Sequence, residues 1–244
     1  MLPDGRGHDE PMADATPGAL EQWTAVERYI TDSMLPADPV MAGVLQECAK
    51  AGLPAINVGA NQGKMLQLLA QIQGARRILE IGTLGGYSAI WLARALPVGG
   101  QLITLESEAA HAAVARANFE RAGLNDVIDL RLGRAIDLLP KIAEAGEVPF
   151  DLVFIDANKD SIPEYFAWAL RLSRPGSVIV VDNVIRNGAV LDANSSDADV
   201  QGVRRFNAML LRETRVSGTA LQTVGSKGYD GFALLLVTAD LQFQ

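Results

Sequence analysis

Residues 77–88 read RILEIGTLGGYS, an apolar run that passes through three glycines into a segment of helical spacing. The run predicts a buried strand, and Gly82, Gly85 and Gly86 permit a tight turn with close approach of a ligand to the backbone. Amides at the start of the following helix favour an anionic group such as a carboxylate. An ordinary strand-to-helix turn would also use glycines. The spacing G-x-x-G-G departs from the G-x-G-x-x-G fingerprint of dinucleotide sites. Glu106 closes the next predicted strand, where a carboxylate can accept hydrogen bonds from both hydroxyls of a ribose. That acid suits an adenosine-type ligand of either NAD or another kind.

Working outward, further apolar runs lie at 101–106 (QLITLE), 127–132 (VIDLRL), 151–156 (DLVFID) and 177–182 (SVIVVD). Helical stretches fall between them, near 87–96, 108–122, 135–145 and 161–172. Such alternation, with strands apolar throughout, predicts an α/β fold with a parallel sheet covered by helices on both faces. After residue 198 come one more helix and two β-rich runs, 214–224 and 231–238, read as an antiparallel edge hairpin. The strand ends carry Glu80-Ile81-Gly82, Glu106, Gly133, Asp156 and Asp182-Asn183. Ligands of open α/β sheets sit at that edge. Four carboxylates and an amide gathered there serve no structural purpose in a sheet.

The N-terminal third reads as helices, with Leu20, Trp23, Val26 and Ile30, then Val40, Val44, Leu45 and Cys48, then Met65, Leu68, Leu69 and Ile72 at helical spacing. Residues 1–17, rich in Pro, Gly and Asp, are expected to be a flexible tail, and 18–244 one domain with a helical cap over 18–73. Apolar residues make up 49% of the 244, which suffices for a large core. A formal charge of −8 disfavours a phosphate backbone as partner. Cys48 is the single cysteine, so no intrachain disulfide can form. Neither a membrane span nor a secretory signal is legible, and the chain is expected to be cytosolic. Only His8, in the tail, and His111, read as a surface helix residue, are histidines. A zinc site or a histidine triad is therefore not expected.

The run ILEIGTLGGYSAIWLARALP, followed in order by ITLE, LGRAIDLLP, FDLVFIDANKD and IVVDNVI, resembles the cation-dependent O-methyltransferases. That family includes catechol and caffeoyl-CoA O-methyltransferases, and the resemblance covers roughly residues 50–240. It implies a Rossmann-like class I fold of seven strands, mostly parallel, with an antiparallel C-terminal strand. It also implies that Glu80, Gly82, Thr83 and Ser88 hold the methionine end of S-adenosylmethionine, Glu106 the ribose, and Ala135 the adenine. Val58 matches a cofactor contact from the helical cap, and Asp156 adjoins the same cofactor. Relatives commonly pair as homodimers, so a homodimer is expected.

Asp156, Asp182 and Asn183 offer oxygen ligands alone, which suit a hard divalent cation, Mg²⁺ first, with Mn²⁺ or Ca²⁺ as alternatives. The competing reading is that Asp182-Asn183 caps a loop. Phenolic hydroxyls ionise near pH ~10, and a cation stabilises the ionised form. Two neighbouring hydroxyls would chelate it, so the expected acceptor is a small phenol. By resemblance Lys159, in DANKD, is the base; the alternative is a solvated lysine opening a helix. Asn158 stands where relatives often carry a second acid. Lys159, Asn183 and Asp230 are the candidate acceptor contacts, with Asp230-Gly231 also readable as a hairpin turn. The substrate-binding glutamate of catechol enzymes has no clear match. The stretch RNGAVLDANSSDAD from Arg186 reads as a substrate lid or an ordinary surface loop. Three rival functions remain: a methyltransferase for a transfer-RNA base hydroxyl, an NAD-dependent oxidoreductase, and a non-catalytic binding protein. The acidic balance opposes the first, the glycine spacing the second, and the complete set of site residues the third.

Overall fold

A computed structural model describes residues 18–240, so the tail expected over 1–17 lies outside the described residues. Three helices come first: α1 (Ala19–Met34), α2 (Pro39–Lys50) and α3 (Ala60–Gln73). Asp38 starts α2 by accepting the amides of Val40 and Met41, both at 3.1 Å, with Pro39 fixed at the first helical position. The alternating part follows as β1 (Arg77–Ile81), α4 (Tyr87–Ala93), β2 (Gln101–Glu106), α5 (Ala109–Arg121), β3 (Ile128–Leu132), α6 (Ala135–Glu144), β4 (Phe150–Ile155), α7 (Ile162–Arg171) and β5 (Ser173–Asp182). The chain ends in α8 (Ala198–Leu210), β6 (Val216–Gly225) and β7 (Gly228–Val237).

The seven strands form one sheet in the order β3-β2-β1-β4-β5-β7-β6. The pairings from β3 to β5 are parallel, and β7 pairs antiparallel with both β5 and β6. The fold is therefore the class I, Rossmann-like arrangement expected from the sequence. Side chains alternate across β1: Ile78 joins a core with Leu66, Ile90 and Leu92 under α3 and α4, while Leu79 joins Leu139, Phe166 and Phe206 under α6 to α8. Burial on both faces explains why β4, FDLVFI, carries no exposed position. The order reverses between β1 and β4, and ligands of such sheets bind at that switch point.

Three sequence boundaries move. α4 stops at Ala93, short of residue 96, before Pro97. β5 begins at Ser173 because Phe150 pairs with Ser173 before the register jumps to Leu152 and Val178; the Ser177 hydroxyl donates to the Phe150 carbonyl at 2.6 Å across the bulge. The terminal hairpin pairs Gly225 with Gly228 and turns at Ser226-Lys227, so Asp230-Gly231 lies inside β7 and is not the turn. No helix among the described residues is long and apolar enough to cross a membrane.

Candidate active site

Gly82 ends β1 at the switch point with φ +101°, and a Cβ there would collide with the carbonyl oxygen of Asp156. Only glycine lets the two strand ends lie so close. Gly86 then starts α4 at φ +85°, with its Cα against the Phe119 ring. Between them Glu106 ties down the turn: one carboxylate oxygen accepts the amides of Thr83 (3.3 Å) and Leu84 (2.7 Å), the other that of Glu108 (2.9 Å). These elements wall a cavity of about 880 Å³, lined among others by Val58, Gly82, Thr83, Ser88, Glu106, Ala135 and Asp156.

Glu80 is fully buried directly behind the lining residues Ile81, Gly82 and Ser88. One of its oxygens accepts the Thr104 hydroxyl at 2.6 Å; the other has no partner among the described residues. Burial pushes this carboxyl up to about 8, the Thr104 hydroxyl offsetting part of the shift. An acid in that state lacks one partner, which an amine of a bound molecule would supply.

A second cavity, of about 1370 Å³, lies between α1, α3 and the β6–β7 hairpin. Trp23, Val26, Ile30, Met65, Leu68 and Leu69 give it an apolar wall, and Asp182 and Asn183 its polar floor. Asn183 and Arg186 line both cavities, so the two spaces meet there. Among the described residues, the non-glycine positions at positive φ are Leu84, Asn183, Arg186 and Asn187, and every one lines a cavity. Left-handed backbone is costly for Leu and Arg and persists where the surroundings demand it.

At the meeting point Lys159 is buried with its ammonium 2.6 Å from the Asp156 carboxylate. Asp182 is buried, accepting the Asn183 amide at 3.0 Å, with the Gln62 amide also facing it. Burial first, and then the charge of Asp156, raises the Asp182 carboxyl to about 7. Two crowded carboxylates share one lysine, so a divalent cation would relieve their repulsion; with the Asn183 amide, the donor set fits a hard ion. Among the described residues no three His, Cys, Asp or Glu side chains cluster to hold a metal, so the fit rests on two acids and an amide.

The model of the O-methyltransferase family matches residues 31–236. This chain belongs to the O-methyltransferase family. Two catechol O-methyltransferases, from Niastella koreensis and Mycobacterium tuberculosis, are 57% and 50% identical to it. Each alignment spans 87% of this chain and 96% or 94% of the relative. Among solved structures, an O-methyltransferase from Bacillus cereus in complex with SAH superposes with a TM-score of 0.89 at 57% identity, over 90% of this chain and all of that one. The SAM complex of an O-methyltransferase of tomaymycin synthesis, from Streptomyces achromogenes, gives 0.88 at 51%, over 90% and 99%.

Within this O-methyltransferase the residues singled out in the sequence fall around the two cavities, with differences in detail. Glu80 stands behind the wall rather than in it. Lys159 is no solvated helix opener: it is the one buried residue of a 3-10 turn, Lys159–Ser161. Asn158 turns away from the acids, donating to Asp160 and, at 2.7 Å, to Ser161, and accepting the Tyr165 hydroxyl at 2.7 Å. Asp230 lines the larger cavity, but its carboxylate is taken by the amides of Ile185 (3.0 Å), Arg186 (3.0 Å) and Gly231 (2.9 Å). It thereby holds the segment after β5 in place. His111, read as a surface residue, is half-buried and lines the smaller cavity, 3.7 Å from Glu106. Residues 186–191 form a short 3-10 segment broken at Asn187 and Gly188. Gln62 and Lys227 are not marked in the sequence; nothing in a helix and a turn so far apart identifies them as neighbours, whereas Arg186 opens the stretch read as a lid.

Proposed function

We propose that this O-methyltransferase transfers the methyl group of S-adenosylmethionine to a hydroxyl of a small phenolic acceptor, with a divalent cation bound by Asp156, Asp182 and Asn183. The observation that carries this reading is the junction: the smaller cavity and the larger, more apolar one meet at Asn183, beside the two acids and Lys159. The smaller cavity takes the cofactor. Glu80 accepts its ammonium, Thr83 and Ser88 flank its methionine end, Glu106 receives the ribose, and Val58 and Ala135 enclose the adenosine part. S-adenosylmethionine supplies an electrophilic methyl on a sulfonium.

The larger cavity takes the acceptor, its ring against Trp23, Ile30 and Met65. When bound, Mg²⁺ or a similar cation lowers the cost of ionising a hydroxyl whose pKa otherwise lies near ~10. Lys159, whose Nζ lies 2.6 Å from the Asp156 carboxylate, would take the hydroxyl proton only as the neutral amine, after releasing its own proton to solvent. Burial of the junction excludes water, and fixed placement of both molecules supplies much of the remaining rate enhancement.

Two copies of the chain pair through the apolar face of α1, α3 and β6. Support comes from Tyr29 on α1 and Leu221 on β6, which are 73% and 49% exposed and line neither cavity. A monomeric mass by light scattering would remove this pairing. The activity itself is tested with labelled S-adenosylmethionine against catechols, caffeoyl esters and bulk tRNA, with and without chelator. Chelator-sensitive methylation of the phenols is expected; methylation of tRNA alone, or turnover indifferent to chelator, would refute the proposal.

A further inference from the structure

The larger cavity holds several charged side chains, and nearly all are already engaged. Lys64 donates to the Gln67 amide at 2.9 Å, and Arg186 pairs with Asp199 at 3.3 Å. Glu27 accepts the Ser226 amide at 2.6 Å, Asp197 accepts the Asp199 amide at 2.8 Å, and Asp230 is held by three amides. Lys227 is the exception: among the described residues it has neither a hydrogen-bond nor an ion-pair partner. It sits at the tip of the β6–β7 hairpin, and the Glu27 contact to Ser226 beside it anchors that tip to α1.

We propose that Lys227 is a specificity-determining residue that selects phenolic acceptors carrying a carboxylate, by pairing with that carboxylate inside the larger cavity. Lys227 lines the same cavity as Asp182 and Asn183, so its side chain shares one space with the reacting end. Partial burial pulls its pKa below the usual value, although Asp156, Asp182 and Glu27 oppose the shift. An unpaired cation in a partly desolvated space favours an anionic ligand group. The apolar wall accommodates an aromatic ring, and a cavity of about 1370 Å³ leaves room for an acid-bearing arm. The inference rests on the reading of this cavity as the acceptor site.

The test compares 3,4-dihydroxybenzoate with catechol, on Mg²⁺-loaded protein with S-adenosylhomocysteine by calorimetry, and with S-adenosylmethionine by turnover. The parent is expected to prefer the carboxylated ligand. Lys227→Met lowers the ratio of the two affinities by about tenfold or more. Lys227→Glu lowers it further, and Lys227→Arg retains it, which separates charge from folding. In turnover the same ratio moves through KM rather than kcat. An unchanged binding ratio in both Lys227→Met and Lys227→Glu overturns the proposal. So does a common fall in kcat for both acceptors with a shifted pH profile, which would make Lys227 a proton carrier. If neither phenol is methylated while the binding ratio still follows residue 227, the methyl-acceptor reading fails and the selection by Lys227 stands.

Discussion

The smaller cavity takes its shape from strand ends that the sheet's own hydrogen bonds fix, whereas the larger one is walled by α1, α3 and a hairpin that meet through side chains. At the first, Gly82 donates to Leu105 at 3.0 Å and Asp156 to Ile81 at 2.8 Å, so the backbone sets the position of each functional group. At the second, α1 has no fully buried residue and is held by contacts such as Glu27 to Ser226. A rigid frame suits a cofactor that never changes. A wall of adjustable side chains lets one scaffold accept different acceptors through a few substitutions.

The largest effect is expected where the two regions join. Asp182→Ala should lower metal-dependent turnover by about a thousandfold, since a cation at the reacting oxygen contributes several kcal/mol. S-adenosylhomocysteine affinity should stay within a few fold by calorimetry. Comparable losses in both measurements would mean that the cavities are not separable at Asp182.

A smaller effect, confined to the rigid half, is expected at Glu80. Its carboxyl must ionise to pair with the cofactor's ammonium, so affinity should rise with pH and level off above about 8. Below that value binding should release a proton, measurable as a buffer-dependent heat. Glu80→Gln should weaken binding by roughly 10- to 100-fold and abolish the pH dependence. In the ligand-free protein the sign reverses. The neutral carboxyl's contribution to stability is fully present below its ordinary value of 4.5 and is lost as pH rises through about 8. A parent whose cofactor affinity is flat from pH 6 to 9 would contradict this role for Glu80.

The same contrast explains what could be seen in the sequence. A parallel sheet fixes where strands end, so Gly82, Glu106, Asp156 and Asp182 could be brought together from the spacing of apolar runs alone. Lys227 and Gln62 belong to a turn and a helix whose meeting depends on tertiary packing, and no periodicity encodes it. For Asp230, a candidate acceptor contact, the alternative of a hairpin turn fails although Asp-Gly favours hairpins: the residue lies inside β7, and three amides occupy its carboxylate. Glu80 was legible by position, but its missing partner was not.

The most direct measurement is a crystal structure with Mn²⁺ and S-adenosylhomocysteine, in which anomalous scattering locates the metal. One peak is expected among oxygens of Asp156, Asp182 and Asn183, at ligand distances of roughly 2.0–2.3 Å, with the nucleoside in the smaller cavity. A site elsewhere, or the three side chains turned apart around a bound nucleoside, would contradict the cation-assisted transfer at this junction.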